Sequence, residues 1–341
     1  MKFSETLRLA WRTGPQLCRL SNIAVVTLAP ILVVPLPAVA QKYPERPIRL
    51  IAQSPAGGTA DLIARVIAQK LGDVLGQSVV TDNRAGAAGI VSAEITAHAA
   101  PDGYTLLVVG PPPLSTSVTL RAGKLNYNPE TDFTFITLTG KVPLAISVLP
   151  SFPAKSFREF VAYAKAKPGS INYGSAGTGS TNHIAGELLK TEAGIEMTHV
   201  PFKGGAPAMA ALLANQLEVY IATMPTIMPM VRAGRLRAIA VSSSKRSAAL
   251  PDVPTIAESG LLGFEMTSWF CVLGPAGMPK AIVTRLNTEI VRILNSAETR
   301  DRLIDAGVNV EPTTPEELRT FVLAEIQKMR RIVKNSGAKV D

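Results

Sequence analysis

The chain has 341 residues, of which 47% are hydrophobic, 18% charged and 5% aromatic, with a formal net charge of +9. That length and apolar fraction suffice for a buried core in about two domains and exclude a disordered chain, while the 26 Gly and 26 Pro follow no collagen-like period. Two Cys exclude a disulfide scaffold and a multi-thiolate zinc centre, and three His leave little for a His-built metal site; with no nucleotide loop or dinucleotide fingerprint, neither a metal nor a cofactor is expected.

The first forty residues read as an address. Lys2, Arg8, Arg12 and Arg19 face the single acid Glu5, an uncharged stretch runs from Ile23 to Val34, and Ala38-Val39-Ala40 offers small residues for a cut. This order predicts a secretory signal peptide, residues 1–40, cleaved after Ala40. Pro30, Pro35 and Pro37 interrupt the apolar stretch and argue against an uncleaved spanning helix. Cys18 follows Pro15-Gln16-Leu17, which is no lipoprotein cleavage site, so no lipid anchor is expected. Cys271 lies in the apolar run Ser268-Trp269-Phe270-Cys271-Val272-Leu273 and reads as a buried structural thiol. The remaining basic charge is not clustered in a way that points to nucleic acid.

Strands and helices then alternate. Strands are expected at Pro47 to Gln53, Ser78 to Thr81, Tyr104 to Val109, Leu144 to Leu149, Ile171 to Ser175, Thr198 to Pro201, Glu218 to Ala222, Leu236 to Ser242 and Glu265 to Leu273. Helices are expected at Asp61 to Leu71, Ala87 to Ala99, Phe157 to Ala166, a segment ending at Ala193, and residues 280–295, 296–306 and 315–335. This alternation predicts parallel sheets covered on both faces, and the chain is too long for one such sheet of ordinary size. Two sheets, and so two α/β lobes, are expected.

One weak internal echo stands out. Ser54-Pro55-Ala56-Gly57-Gly58-Thr59 and Ser175-Ala176-Gly177-Thr178-Gly179-Ser180 each sit between a strand and a helix. Such loops expose backbone N–H groups at a helix start, where the first amides lack partners and the dipole favours an anion. Two of them facing one cleft would hold a small carboxylate without a basic side chain. The structural alternative is that Thr59 and Thr181 cap helices and the glycines serve turns. Asp61, in a first helical turn, suits the dipole, and His183 is either a ligand contact or a packed neutral imidazole.

The same residues carry a family likeness. SPAGGTADLIARVIAQKL, the run Asp82–Glu94, PDGYTLL at Pro101–Leu107, INYGSAGTGSTNHIAGELL at Ile171–Leu189, HVPFKGGAPAMAALLANQ at His199–Gln216, ALPDVPTIAESGL at Ala249–Leu261 and the run Ser268–Asn287 resemble the tripartite tricarboxylate transporter receptors, the Bug or TctC-type solute-binding proteins. The resemblance covers essentially everything after Ala40. It implies a two-lobed periplasmic binding protein of the type II-like, Venus-flytrap class. Such a protein is a monomer in the periplasm that captures a carboxylated solute between its lobes and delivers it to the permease subunits of a tripartite tricarboxylate transporter.

Carried over by motif, the resemblance places Ala56, Gly57, Gly58, Thr59 and Asp61 in a first ligand loop and Ser175, Ala176, Thr178, Gly179, Ser180 and His183 in a second, joined by Lys203 and Gly204. It implies that amides, hydroxyls and ordered water hold the carboxylate. Phe202 replaces the usual Tyr, and Ala211 and Ala222 stand where Asp is common, which disfavours ligands bearing an ammonium group. It also implies interleaved lobes: residues 41–141 with 268–341, and residues 142–267.

Catalysis is the competing class. Ser242-Ser243-Ser244-Lys245 matches Ser-x-x-Lys but lacks the partner motifs, and a secreted hydrolase using Ser180 and His183 would lack the Gly-x-Ser-x-Gly setting and an evident acid. No catalytic residue is therefore assigned. A third reading, a structural protein whose loops merely pack, predicts no response to any acid ligand.

Overall fold

The computed structural model describes residues 43–121 and 123–336; the expected signal peptide, its cleavage point and Cys18 lie outside the described residues. Strand β1 (Ile48–Ala52) is buried except at Arg49, whose guanidinium meets Asp82 of the neighbouring strand at 2.6 Å. It runs parallel to β2 (Val79–Asn83) and β3 (Thr105–Val109). Between β1 and β2, α1 (Thr59–Leu75) buries Ile63, Val66, Ile67 and Leu71, the stripe of a helix lying on a sheet, and ends at Gly76 in the left-handed conformation (φ 68°). A single 3₁₀ turn (Ala87–Gly89) leads into α2 (Ile90–Ala97).

After β3 the chain departs from expectation. A π-helical turn (Pro112–Thr116) runs into the short α3 (Ser117–Leu120), where no regular element is anticipated. Strand β4 (Phe133–Val148) is sixteen residues long and starts well before Leu144. Its almost unbroken burial leaves no period-2 alternation to read, and Gly140 and Pro143 punctuate it like loop residues.

Next come α4 (Phe157–Ala166), β5 (Asn172–Ser175), α5 (Thr181–Ala193), β6 (Thr198–Pro201), α6 (Gly205–Leu213), β7 (Val219–Thr223), α7 (Met224–Arg232) and β8 (Arg237–Val241). The remaining elements are β9 (Thr267–Pro275), α8 (Lys280–Asn295), α9 (Ala297–Asp305), β10 (Asn309–Val310) and α10 (Pro315–Ser336). Among the described residues no helix is long and apolar enough to cross a membrane.

The strands follow the order β2-β1-β3-β9-β4-β7-β5-β6, with β8 and β10 also pairing with β4. Pairs β1/β2, β1/β3, β5/β6 and β5/β7 are parallel, whereas every pairing of β4 and β9 is antiparallel. The sheets are therefore mixed, not all-parallel as the alternation of elements suggests. β4 carries the two sheets in succession: residues 133–143 pair with β9, and residues 144–148 pair with β7 and β8.

Each half of this two-lobed α/β molecule has helices on both faces. In the first, Ile48, Leu50, Leu106 and Val108 pack on α1 and α8 through Ile63, Leu286 and Ile290, while Ile51, Leu107 and Cys271 face Leu318, Val322 and Ile326 of α10. In the second, Ile146, Tyr173 and Ile221 pack on Phe160 and Ile184, while Tyr220 and Ala222 meet Leu212 and Ile227. Each fully buried Leu, Ile or Val contributes roughly 1.5–3 kcal/mol to holding these layers together. α10 belongs to both halves, because Met329 and Val333 near its end pack in the second core. Trp269 Nε1 donates to Glu325 Oε2 at 3.0 Å and fixes α10 against β9. Cys271 is fully buried and burial pushes its thiol far up, as suits an inert core residue.

Candidate ligand-binding site

Parallel strands deliver their carboxyl ends, and the helices that follow them, to one place. β1, β5, β6 and β7 end at a cavity of about 240 Å³, and the starts of α1, α5, α6 and α7 all contribute to its wall. The first amides of a helix have no partner within it, and Thr59 and Ala60 on α1, Thr181 and Asn182 on α5, and Gly205 on α6 all line the cavity. The aligned helix dipoles add positive potential at the same point.

The first loop is shaped from behind. Asp61 accepts from the Gly57 N–H (3.0 Å), Arg65 Nε (2.9 Å) and Asn83 Nδ2 (2.9 Å). Burial pushes its carboxyl up, but these hydrogen bonds and the Arg65 charge outweigh burial and hold it below the usual range. Gly58 must be glycine because a Cβ there would lie 2.5 Å from Ser54 Oγ. The second loop is tied down similarly. Ser180 Oγ accepts from the His183 N–H at 3.3 Å and caps α5, and the Gly179 N–H donates to His183 Nδ1 at 3.1 Å.

Of the residues proposed from sequence, Gly58, Thr59, Ala176, Thr178, Ser180, Lys203 and Gly204 line the cavity. Ala56, Gly57, Asp61, Ser175, Gly179 and His183 do not; all but the exposed Ala56 make hydrogen bonds that brace the loops. His183 stacks on His199 at 4.1 Å between ring centroids, and His199 Nε2 lies 2.6 Å from Ser175 Oγ. Burial lowers the proton affinity of His183; Glu187 opposes this and Lys190 adds to it. Burial, together with His183, lowers His199 to about 4, so both imidazoles are neutral near pH 7. Ala211 and Ala222 are both core residues that do not line the cavity.

Several lining residues escape the sequence reading. The loop Ala85–Gly89 forms one wall, with Ala87 (φ 46°) and Ala88 (φ 55°) held in the left-handed region that non-glycine residues avoid. Its signal was the small-residue run Ala85-Gly86-Ala87-Ala88-Gly89 after a strand, the same kind of signal that marked the other two loops. Thr223, Thr226 and Tyr220 come from β7 and α7. Burial pushes the Tyr220 phenol well up, so it remains a neutral donor, and it supplies a hydroxyl to a wall where Phe202 has none. Gln53 lines the wall with its side-chain oxygen buried and unpartnered among the described residues. Arg121, at the end of α3, is the other cation besides Lys203. Among the described residues no Asp or Glu lines the cavity.

Among the described residues, a lining of neutral donors and two cations without a carboxylate is chemically suited to an anion. The comparisons agree in class. A family model described as Tripartite tricarboxylate transporter family receptor matches residues 63–338. Protein BugT of Bordetella pertussis is 36% identical over 305 residues, spanning 89% of this chain and 93% of that protein. Among solved structures, R. palustris Rpa4515 with adipate is 36% identical at a TM-score of 0.85, covering 87% of this chain and 100% of that one. MatC from Rhodopseudomonas palustris with bound malate is 33% identical at a TM-score of 0.80, covering 85% and 100%. With a family match over most of its length and relatives of this similarity, the chain belongs to the tripartite tricarboxylate transporter receptors of the Bug type.

Proposed function

We propose that this protein is an extracytoplasmic solute receptor that captures a small carboxylated solute in the cavity and delivers it to the membrane permease of a tripartite tricarboxylate transporter. The observation that carries the reading is the convergence of helix starts from both sheets on a cavity with no acid in its wall. A carboxylate there receives several charge-assisted N–H bonds, each worth roughly 1.5–3 kcal/mol. The relatives solved with adipate and malate support the same ligand class.

The lobes proposed are residues 41–141 with 268–341, and residues 142–267. The change of partners along β4 after Pro143 and the start of β9 at Thr267 support these crossings, with the end of α10 leaning on the second lobe. The signal peptide, cleavage after Ala40, a periplasmic location and a monomeric state complete the proposal, supported by the leader composition and by family membership.

Binding without turnover is the reading favoured for the serine and histidine residues. The Ser180 hydroxyl is engaged as a cap, the His183 Nδ1 accepts from a backbone amide, and the close Ser175–His199 pair lies beneath the loop, with Ser175 fully buried. A thermal-shift screen with mono-, di- and tricarboxylates tests the receptor reading. At least one acid should raise the melting temperature in a concentration-dependent way, because it binds only the folded state. A flat response across the panel, or ester hydrolysis abolished by Ser180→Ala, would refute it.

A further inference from the structure

The amide-lined end of the cavity accounts for one carboxylate and leaves Arg121 unexplained. Its guanidinium is always charged and half-buried, and it has no hydrogen-bond or ion-pair partner among the described residues. A partly desolvated cation without a counter-charge is unfavourable unless something supplies one. Its place is not accidental. The π-helical turn and α3 carry the chain from the first lobe to the second ligand loop, where a Cβ on Gly179 would lie 3.5 Å from Leu120 Cδ1. Arg121 is the next residue, so it is held at the cavity wall by the contact that brings α3 against that loop.

Resting on the receptor reading above, we propose that Arg121 is the residue that selects ligands with a second anionic group. One carboxylate occupies the helix starts and the other meets the planar guanidinium fork, whose paired N–H groups match a carboxylate bidentately. The wall offers no acid to pair an ammonium group, so the ligand class is non-amino dicarboxylates. Lys203 also lines the cavity, but it is exposed and its ammonium is a hydrated point charge that adds general attraction and little selection.

Titration calorimetry on the purified protein at neutral pH tests this. The probes are the linear diacids from succinate to suberate and the straight-chain monoacids of equal length. Wild type should bind its preferred diacid at least about 10-fold more tightly than the matching monoacid. In Arg121→Gln that ratio should collapse to within about 2-fold, Arg121→Lys should retain part of it, and the melting temperature without ligand should not fall, since the side chain has no partner to lose and a partly desolvated charge is removed. Monoacids binding wild type as tightly as diacids, a ratio preserved in Arg121→Gln, or a ratio lost in Lys203→Gln instead, would overturn the role of Arg121 while leaving the receptor reading intact. Failure of wild type to bind any acid of either series would instead remove the receptor reading, and this assignment with it.

Discussion

The hydroxyls of Thr59 and Thr223 are hydrogen-bonded at 2.8 Å, joining the first residue of α1 to the last residue of β7 at the cavity wall. Thr223 in turn contacts the Thr226 hydroxyl at 3.1 Å. The two sheets are thus tied at the wall of the candidate ligand site.

Thr59→Val and Thr223→Val keep side-chain shape and remove the bond. Each should weaken acid binding by about 2- to 10-fold, the worth of one net hydrogen bond. A double-mutant cycle should show a coupling energy of about 0.5–1.5 kcal/mol. Additive losses in the calorimetric cycle would mean that the two hydroxyls act independently.

Gly204 makes another close approach between the halves. Its φ is +116°, and a Cβ there would lie 2.6 Å from Pro55 Cγ of the first loop. Gly204→Ala should cost roughly 1–3 kcal/mol of stability from the backbone conformation alone. It should also lower ligand affinity by about 10-fold or more, because the methyl group props the two loops apart. Adding Pro55→Ala should restore much of the affinity but not the stability. The two measurements, thermal unfolding and calorimetry, separate the strain from the clash.

The imidazoles beneath the second loop make stability pH-dependent. Burial, with the neighbouring His183, lowers His199 from its ordinary value of 6.5 to about 4 in the folded chain, so the unfolded chain binds its proton more readily. The stability contributed by the neutral ring is fully present above pH 6.5 and is lost as pH falls from there toward 4. His183 shifts in the same direction, with Glu187 opposing and Lys190 reinforcing the effect of burial, and its Nδ1 must stay unprotonated to accept from Gly179. Melting temperature should therefore drop across this window. His199→Asn should flatten the profile, and an unchanged slope in that variant would assign the effect to other groups.

The Cys271 thiol should not react with a disulfide reagent in the native protein and should react fully in denaturant. Burial removes both access and thiolate character. Rapid labelling of the folded protein, followed by absorbance, would contradict the packing of β9.

Much of this could be read in the linear order of residues. The stripe Ile63-Val66-Ile67-Leu71 specifies α1, the apolar run Tyr104–Val109 specifies β3, and the small-residue loops before α1 and α5 mark two helix starts suited to an anion, because periodicity and turn chemistry are local properties. The first half of β4 was not legible, since a strand buried on both sides carries no alternation and its neighbours are far along the chain. Nor was the division between residues that touch the cavity and residues that brace it. Gly58 and Ser180 line it while Asp61 and His183, equally near in sequence, hold the loops from behind, and only the three-dimensional path of each helix separates those roles. Arg121, Tyr220 and Thr223 reach the site from segments distant from the two loops, brought there by the order in which strands pair. Local sequence thus determined that donors for an anion exist, whereas tertiary structure decided which of them converge and which charges join them, because convergence is set by long-range strand pairing that no window of neighbouring residues contains.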